Sequence, residues 1–426
     1  MNRWGIFALV VLVVAAGWTF FVCASQVTGA GGKSAANILV TSAVKTEQPA
    51  VPIPKPEGNQ PALPTPKAEA ERPAVEVVFV LDTTGSMGEL IQAAKEKIWA
   101  IANTLVSAKP TPRIKMGLVA YRDRGDQYIT RRTDLTSDLD AIYKELMGFQ
   151  ATAGGDEPES VNQALHEAVT QLSWSRDSKT YRVIFLVGDS PPHMDYTDDV
   201  KYPETCKIAA AAGIIINTVQ CGSNTTTPGI WTEIALKSEG RYFRVEQSGS
   251  AILATTPFDD KLAALGAELD ATRVYYGTPG ERAELSKHLD VAAAIESDAT
   301  VTAKARRAGF IAGTAGEAVL GPRQELINDL AGGRVKLVKL KTENLPENMQ
   351  KMTIGERESF VARTQAKRAR LQADIKDLAA KRQAHIEEEV RKRADKGAAS
   401  LDYMVYDSVK EQAAKKGITY TDGPAH

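Results

Sequence analysis

The fold is decided by the stretch VEVVFVLDTTGSM, residues 75–87, in which an apolar run leads directly into a polar turn. The run 75–81 is rich in β-branched residues, which is typical of a strand buried on both faces of a parallel sheet. Apolar residues then recur at helical spacing, at Leu90, Ile91, Ala94, Ile98, Ala102 and Leu105. The stretch therefore predicts a buried strand, a turn and an amphipathic helix.

The same alternation continues as far as residue 245. Further strands are predicted at 114–121, 183–187, 214–219 and 242–245, and further helices at 139–147, 161–172, 206–212 and 230–237. Strands that alternate with helices form βαβ units. We therefore expect an α/β fold, with a doubly wound and mostly parallel sheet over residues 75–247, followed by a mainly helical C-terminal region.

The C-terminal part divides into a helical region, 248–340, and a charged helical tail, 341–426. The tail carries a narrow apolar stripe among charged residues, formed by Leu371, Ile375, Leu378 and Ile386. Such a stripe predicts either a coiled coil with a partner helix or a solvated helix that packs on its own chain. The stripe spans barely two heptads, so packing within the chain is favoured.

Charge selects no class of partner. Lys and Arg number 52 and Asp and Glu number 53 in a chain of 426 residues. A protein that binds nucleic acid or an anionic membrane surface would show a basic excess. We therefore expect no nucleic-acid partner. The hydrophobic content of 43% leaves enough apolar residues for a sizeable core.

Residues 1–24 carry one basic residue and then an apolar run from Ile6 to Val22. This pattern predicts an export signal, which could be a cleaved signal peptide, an uncleaved signal anchor or a lipoprotein signal at Cys23. The alternative is a buried core helix, but the proline-rich segment 25–74 that follows is typical of a disordered linker. We expect an exported protein that is periplasmic, secreted or anchored to a membrane by this segment.

Three loops are dense in side-chain oxygen atoms. They are DTTGSM at 82–87, GGDEPE at 154–159 and GDSPPH at 188–193. In open α/β sheets, ligands bind beyond the carboxyl ends of the strands, and the first and third loops directly follow predicted strands. We therefore expect the three loops to meet around one ligand.

The first loop resembles a known metal site. The pattern Asp82-x-Thr84-x-Ser86 after an apolar strand is similar to the metal-ion-dependent adhesion site (MIDAS) of von Willebrand factor A (VWA) domains. The family pattern is Asp-x-Ser-x-Ser, so Thr84 departs from it but keeps the hydroxyl group. The resemblance identifies the chain as a VWA protein, and we predict a bacterial type.

The other two loops extend the resemblance. The second is similar to the loop of integrin β-subunit I-like domains, which implies Glu159 as a ligand with Asp156 beside it. Most family members use a threonine here instead, and Thr152 is the alternative in this chain. The third loop resembles the aspartate-bearing loop of the family, which implies Asp189.

The resemblance implies a divalent cation, with Mg²⁺ expected first and Mn²⁺ or Ca²⁺ as alternatives. Hard cations of this kind prefer oxygen ligands. Thr84 and Ser86 would contribute neutral hydroxyl groups, which hold an ion without cancelling its charge. A position left open on the metal would then accept an acidic side chain from another protein.

Each candidate ligand also has a purely structural interpretation. Asp156 and Glu159 have the spacing of a capping box, and Pro158 suits a first helical turn. Asp189 could set an Asx turn, and Asp82 could be an ordinary turn residue. Each of these residues, taken singly, is better explained by a structural role. Three such loops at one edge of the sheet favour a metal site.

The chain has three cysteines and no C-x-x-C spacing, which excludes a thiolate zinc site of the usual kind. Cys206 and Cys221 are predicted near the same edge of the sheet. We expect a disulfide between them in an oxidising compartment, and two buried free thiols are the alternative.

These features favour an exported, non-enzymatic module that binds a protein partner through a divalent metal. The chain has no G-x-S-x-G, no H-E-x-x-H and no phosphate loop, so we do not expect an enzyme. Two alternatives stay open. The chain could be a non-catalytic subunit of a larger enzyme complex, chelatase-like or kinase-associated, or a structural protein of the cell envelope.

Overall fold

The computed structural model describes residues 72–152, 154, 157–248, 255–321, 323–392, 401–420 and 423. The predicted export segment and most of the predicted linker lie outside these residues, and so does Asp156. Within the described ranges, no helix is both long enough and apolar enough to cross a membrane. The export signal and the linker therefore stay predictions.

The described residues contain a six-stranded sheet. Its strands are β1 (Ala74–Asp82), β2 (Arg113–Tyr121), β3 (Thr130–Thr136), β4 (Tyr181–Gly188), β5 (Ile214–Cys221) and β6 (Tyr242–Val245). The spatial order is β3-β2-β1-β4-β5-β6, and every neighbouring pair is parallel except β2 with β3. The predicted α/β class with a doubly wound, mostly parallel sheet is confirmed.

Strand β3 was not predicted from the sequence. Its residues, TRRTDLT, are mostly polar, and Leu135 is the one buried residue among them. The strand runs antiparallel to β2 at the edge of the sheet, so it needs no continuous apolar run. The charged side chains at this edge also discourage pairing with another chain.

Helices cover both faces of the sheet. Helices α1 (Gly88–Val106) and α2 (Leu139–Met147) pack on one face, and α3 (Val161–Thr170), α4 (Tyr202–Ala211) and α5 (Thr227–Lys237) pack on the other. Alternate residues of a strand point to opposite faces. Val77 and Phe79 therefore join the first apolar cluster, and Val78 and Val80 join the second.

The chain beyond β6 is helical, as predicted. Its helices are α6 (Asp259–Asp270), α7 (Pro279–Asp298), α8 (Val301–Ile311), α9 (Glu317–Leu320), α10 (Leu326–Ala331), α11 (Glu347–Gln350), α12 (Ile354–Lys392) and α13 (Leu401–Ala414). Leu262, Phe310 and Val405 of these helices belong to the same apolar cluster as Phe79 of the sheet. Apolar contacts thus cross the predicted boundaries at 247 and 340, which stay predictions.

The apolar stripe of α12 packs within the chain. Leu371 and Ile375 are buried in the cluster that includes the sheet, and Leu378 packs against it. Ile386 is fully buried as well. The interpretation that this helix packs on its own chain is therefore confirmed, and the stripe is not free to form a coiled coil with a partner.

Buried charges join the helical region to the sheet domain. Arg307 of α8 is fully enclosed, and its Nε and Nη2 atoms each lie 2.6 Å from an oxygen of Asp140 on α2. Its Nη1 atom lies 2.6 Å from Oδ2 of Asp270 on α6. Arg273 also pairs with Asp270. One guanidinium group therefore connects three helices.

The predicted disulfide between Cys206 and Cys221 is wrong, because both cysteines are free and buried. Cys206 does not begin a helix but lies within α4, and it packs in the cluster on the α3–α5 face. Cys221 ends β5 and belongs to the cluster on the opposite face. Sequence spacing placed both cysteines near one edge, but it did not show that the sheet separates them.

We expect dithiothreitol to leave the thermal unfolding midpoint of the full chain unchanged. No bond between Cys206 and Cys221 constrains the unfolded chain, so reduction has nothing to release. Circular dichroism with and without the reductant measures this. Iodoacetamide added in denaturant without reductant should label both cysteines, and protection of both from the label would contradict the expectation.

Candidate metal centre

The first loop places Asp82 at the carboxyl end of β1 with no exposed surface. Its Oδ1 atom accepts hydrogen bonds from the backbone N–H of Thr84 at 2.9 Å and from the Thr84 hydroxyl at 2.6 Å. The Thr84 Oγ1 atom lies 3.4 Å from Oγ of Ser86, which is exposed. The three oxygen-bearing side chains predicted in this loop are therefore adjacent.

The second loop lies against the first. The backbone N–H of Thr152 donates to the carbonyl of Thr83 at 3.4 Å, and the Thr152 side chain is exposed. Gly154 has a φ of +88°, and a Cβ atom there would lie 3.2 Å from Cβ of Thr84. Glycine at this position therefore permits both the left-handed backbone and the close approach of the two loops.

Glu159 ends the second loop, lies against the third loop and is 3% exposed. Its backbone N–H donates to the carbonyl of Pro191 at 2.9 Å, and its carbonyl accepts from the N–H of His193 at 3.0 Å. The capping-box alternative is wrong for Glu159, because α3 begins at Val161 and its N-cap is Ser160. Asp156 lies outside the described residues.

The third loop brings Asp189 to the same edge, where it is half-buried. Its Oδ1 atom accepts from the Ser190 hydroxyl at 3.1 Å, and its Oδ2 atom accepts from Nε2 of Gln247 at 2.9 Å. The same Gln247 nitrogen donates to the carbonyl of Ser86 at 3.1 Å. Gln247, which follows β6, thus joins the first loop to the third.

Burial and mutual repulsion perturb the carboxyl groups. Burial, together with the charge of Asp189, raises the pKa of Asp82 to about 7 against the opposing effect of the Thr84 hydrogen bonds and Arg122. Burial raises the pKa of Glu159 to about 9, and the charges of Asp82 and Asp123 act in the same direction. The folded chain therefore places the Asp82 and Glu159 carboxyl groups in an environment that disfavours their ionised forms.

Two buried carboxyl oxygens at this edge are unpaired. Asp82 Oδ2 and Glu159 Oε2 have no hydrogen-bond partner among the residues that the structure describes. An unpaired buried polar atom is costly, so such atoms commonly mark a place for an ion. In their chemistry, the carboxyl groups and the hydroxyls of Thr84 and Ser86 fit a hard divalent cation.

Carboxyl and imidazole groups alone do not form a complete site. Within the described part of the chain, no group of three or more His, Cys, Asp or Glu side chains is placed to hold a metal. Any ion at this edge would therefore need the hydroxyl groups of the first loop as well as carboxylates. His193, at the end of the third loop, pairs with Asp195 through Nδ1 at 2.8 Å.

Sequence analysis missed Tyr121, which lies beneath the loops. Its hydroxyl is fully buried and has no partner in the described ranges. A Cβ atom on Gly188 would collide with this hydroxyl and would lie 3.2 Å from Oδ2 of Asp82. The phenol and the carboxylate thus occupy the space that glycine leaves, which explains why β4 ends in a glycine.

Comparison with known proteins identifies the domain. Residues 76–224 match the family model described as von Willebrand factor A domain. Together with the parallel sheet and its flanking helices, this match shows that the chain contains a VWA domain. Domains of this class are generally protein-interaction modules.

The relatives match only part of this chain. Von Willebrand factor A domain-containing protein 7 of Rattus norvegicus is 39% identical over 114 residues, 27% of this chain and 12% of that protein. A protein of Acanthamoeba polyphaga mimivirus, described as ariadne-like RING finger, is 21% identical over 210 residues, 46% of this chain and 20% of that protein. This chain thus spans a fifth or less of either relative.

A solved structure is similar to part of this chain. Proximal thread matrix protein 1 from the mussel byssus, with a zinc-occupied MIDAS motif, is 15% identical with a TM-score of 0.33. The match covers 41% of this chain and 42% of that chain.

Proposed function

We propose that this chain is an exported, non-enzymatic protein-binding module that binds its partner through a divalent metal in a MIDAS-like site. The proposed ligands are Asp82, Thr84, Ser86, Glu159 and Asp189, and Asp156 is a further candidate. Mg²⁺ is the proposed ion, with Mn²⁺ and Ca²⁺ as alternatives. Export and possible anchoring rest on the apolar segment Ile6 to Val22, and a bacterial source stays a prediction.

The unpaired, buried oxygens Asp82 Oδ2 and Glu159 Oε2 carry the proposal. A bound cation would offset the burial and the repulsion that raise both pKa values. The neutral hydroxyls of Thr84 and Ser86 would leave much of the positive charge uncancelled. The metal would then attract an acidic side chain of the partner into an open coordination position.

Capture of the partner should require the metal. The full chain would be immobilised and exposed to the proteins of its own source in Mg²⁺ or in EDTA, alongside a Ser86→Ala variant. We expect a protein that the wild type retains in Mg²⁺ and loses in EDTA, and that Ser86→Ala retains weakly. A Ser286→Ala variant is the matched control, because this serine lies on α7 and its hydroxyl donates to the carbonyl of Ala283. Equal retention in EDTA would overturn the metal-dependent role.

The apparent affinity for Mg²⁺ should rise as the pH is raised from 6 to 9. Protons compete with the metal for Asp82 and Glu159, whose pKa values lie at about 7 and about 9. Both values are raised, so without metal the folded chain holds protons more tightly than the unfolded chain. The stability of the metal-free protein therefore falls as the pH rises above the ordinary carboxyl range.

Thermal unfolding at several pH values, with Mg²⁺ and with EDTA, measures this effect. The gain in midpoint from Mg²⁺ should be small at pH 6 and should increase towards pH 9. A gain that is constant across this range would show that neither carboxyl group exchanges a proton for the metal.

A further inference from the structure

Asp123, which lies just beyond β2, is buried and uses both carboxyl oxygens. Its Oδ1 atom accepts from the Ser160 hydroxyl at 2.8 Å, and its Oδ2 atom accepts from the Tyr196 hydroxyl at 2.8 Å. Nε2 of His193 lies 3.4 Å from the same Oδ2 atom. We call these four residues the Asp123 network. The network ties the end of β2 to the start of α3 and to the segment after the third loop.

Glu159 lies between the parts of the chain that the Asp123 network joins. Its next residue, Ser160, donates its backbone N–H to the carbonyl of Arg122 at 3.2 Å, immediately before Asp123. On the other side, Glu159 exchanges backbone hydrogen bonds with Pro191 and His193. The Glu159 backbone is therefore held on one side by the third loop, through Pro191 and His193, and on the other side by its neighbour Ser160, which bonds to the end of β2.

Ring stacking holds Tyr196 in place. The rings of His193 and Tyr196 stack with centroids 4.0 Å apart and planes 13° from parallel. The Arg124 guanidinium carbon lies 4.0 Å from the Tyr196 ring centroid, and its Nη2 atom is 2.7 Å from Oδ1 of Asp199. The Tyr196 hydroxyl is thereby kept on the Asp123 carboxylate.

We infer that Asp123 and Tyr196 are positioning residues of the metal site, which set where the Glu159 carboxylate lies by fixing the second loop against the third. Asp123 acts through the two hydroxyl groups that donate to its carboxylate, those of Ser160 and Tyr196. Groups that orient a metal ligand typically change metal affinity 10- to 100-fold when removed. This inference rests on the proposed metal-binding function.

The inference has a consequence for ion selectivity. Mg²⁺ demands near-octahedral geometry with oxygen atoms at about 2.0–2.1 Å, whereas Ca²⁺ tolerates irregular geometry at about 2.3–2.6 Å. Loosening Glu159 should therefore weaken Mg²⁺ binding more than Ca²⁺ binding. A mere loss of protein stability would weaken both ions alike.

The test removes one hydroxyl group. Tyr196→Phe in the full chain keeps the stacked ring and deletes the donor to Asp123. Tyr202→Phe is the matched control, because its hydroxyl also donates to a carboxylate, that of Glu233 at 2.8 Å, on the outer helices. Ser160→Ala removes the other hydroxyl donor to Asp123 and provides a second, independent variant.

Two measurements are made on each variant. Hydrogen exchange without metal reports on the amides of Glu159 and His193, whose bonds join the two loops. Calorimetric titration with Mg²⁺ and separately with Ca²⁺ gives the selectivity. For Tyr196→Phe we expect faster exchange at these amides, a loss of Mg²⁺ affinity of about 10-fold and a loss of Ca²⁺ affinity below about threefold. Tyr202→Phe should match the wild type.

The outcomes distinguish the positioning role of Asp123 and Tyr196 from the proposed metal-binding function. Unchanged exchange and unchanged selectivity in Tyr196→Phe and Ser160→Ala, with a wild type that binds Mg²⁺, would overturn the positioning role alone. Equal losses for both ions would also overturn it. A wild type that binds neither ion would overturn the proposed function, and this inference would fail with it.

Discussion

Replacing Arg307 with Met is expected to lower the free energy of unfolding by about 3–5 kcal/mol, because it leaves buried carboxylates without their main counter-ion. In the structure the Arg307 guanidinium bonds to Asp140 and Asp270 at 2.6 Å, and none of these side chains is appreciably exposed. Arg273 lies nearby and can compensate only part of the lost charge. Urea denaturation of the full chain, followed by circular dichroism, measures the change.

The pH dependence of this loss has a definite sign. Burial alone would raise the pKa of Asp270, but the charges of Arg307 and Arg273 outweigh burial and hold it below the ordinary value. That stabilisation is present above the ordinary carboxyl pKa and is lost as the pH falls. The difference between the wild type and Arg307→Met should therefore shrink below about pH 4.

The matched control is Arg370→Met on the exposed side of α12. Arg370 pairs with Asp374 at 3.8 Å while its side chain is 84% exposed. Exposed ion pairs of this kind contribute little to the free energy of unfolding, so the control should change it by less than about 0.5 kcal/mol. A comparably small effect for Arg307→Met would show that the buried cluster does not hold the helical region to the sheet domain.

Asp82→Asn is expected to have two opposite effects, a loss of Mg²⁺ affinity of at least about 100-fold and a gain in stability of the metal-free protein at pH 8. The affinity falls because a directly binding carboxylate is lost, and the losses for groups that only orient ligands already reach about 100-fold. Stability rises because the buried, repelled carboxylate, with its pKa at about 7, no longer has to ionise. One pKa unit corresponds to about 1.4 kcal/mol, and the new amide N–H groups offset part of the gain, so we expect about 1–3 kcal/mol.

Calorimetric titration and urea denaturation in EDTA measure the two effects of Asp82→Asn separately. Asp290→Asn, on the exposed surface of α7, makes the same chemical change and should alter neither quantity. Mg²⁺ binding by Asp82→Asn that equals the wild type would remove Asp82 from the site. A variant that is less stable in EDTA would contradict the electrostatic account of the loops.

The sequence predicted the sheet well because its inner strands are buried on both faces. β1 and β4 form nearly continuous apolar runs, and β5 begins with three isoleucines. Strand β3 escaped prediction because it lies at the edge and buries Leu135 alone. The location of the candidate site was also predictable, since ligand-bearing loops follow the carboxyl ends of parallel strands.

The contacts around the candidate site were not predictable to the same degree. Gln247 reaches Asp189 across 58 residues, and Tyr196 reaches Asp123 across 73 residues, and neither pair leaves a pattern in the sequence. Asp123 itself does follow a strand end, so the rule that selected Asp82 and Asp189 could have included it. The cysteine prediction failed because spacing along the chain does not specify the face of a sheet.

The shared apolar cluster limits how this protein can be dissected. A recombinant fragment that stops at residue 247 would uncover the sides of α1 and α2 that now contact Phe310 and its neighbours, including Trp99, whose ring lies 5.6 Å from that of Phe310. An apolar surface that is newly exposed to solvent in this way favours self-association. Precipitation of that fragment would therefore carry no information about metal or partner, and single-residue exchanges in the intact polypeptide are the sounder route.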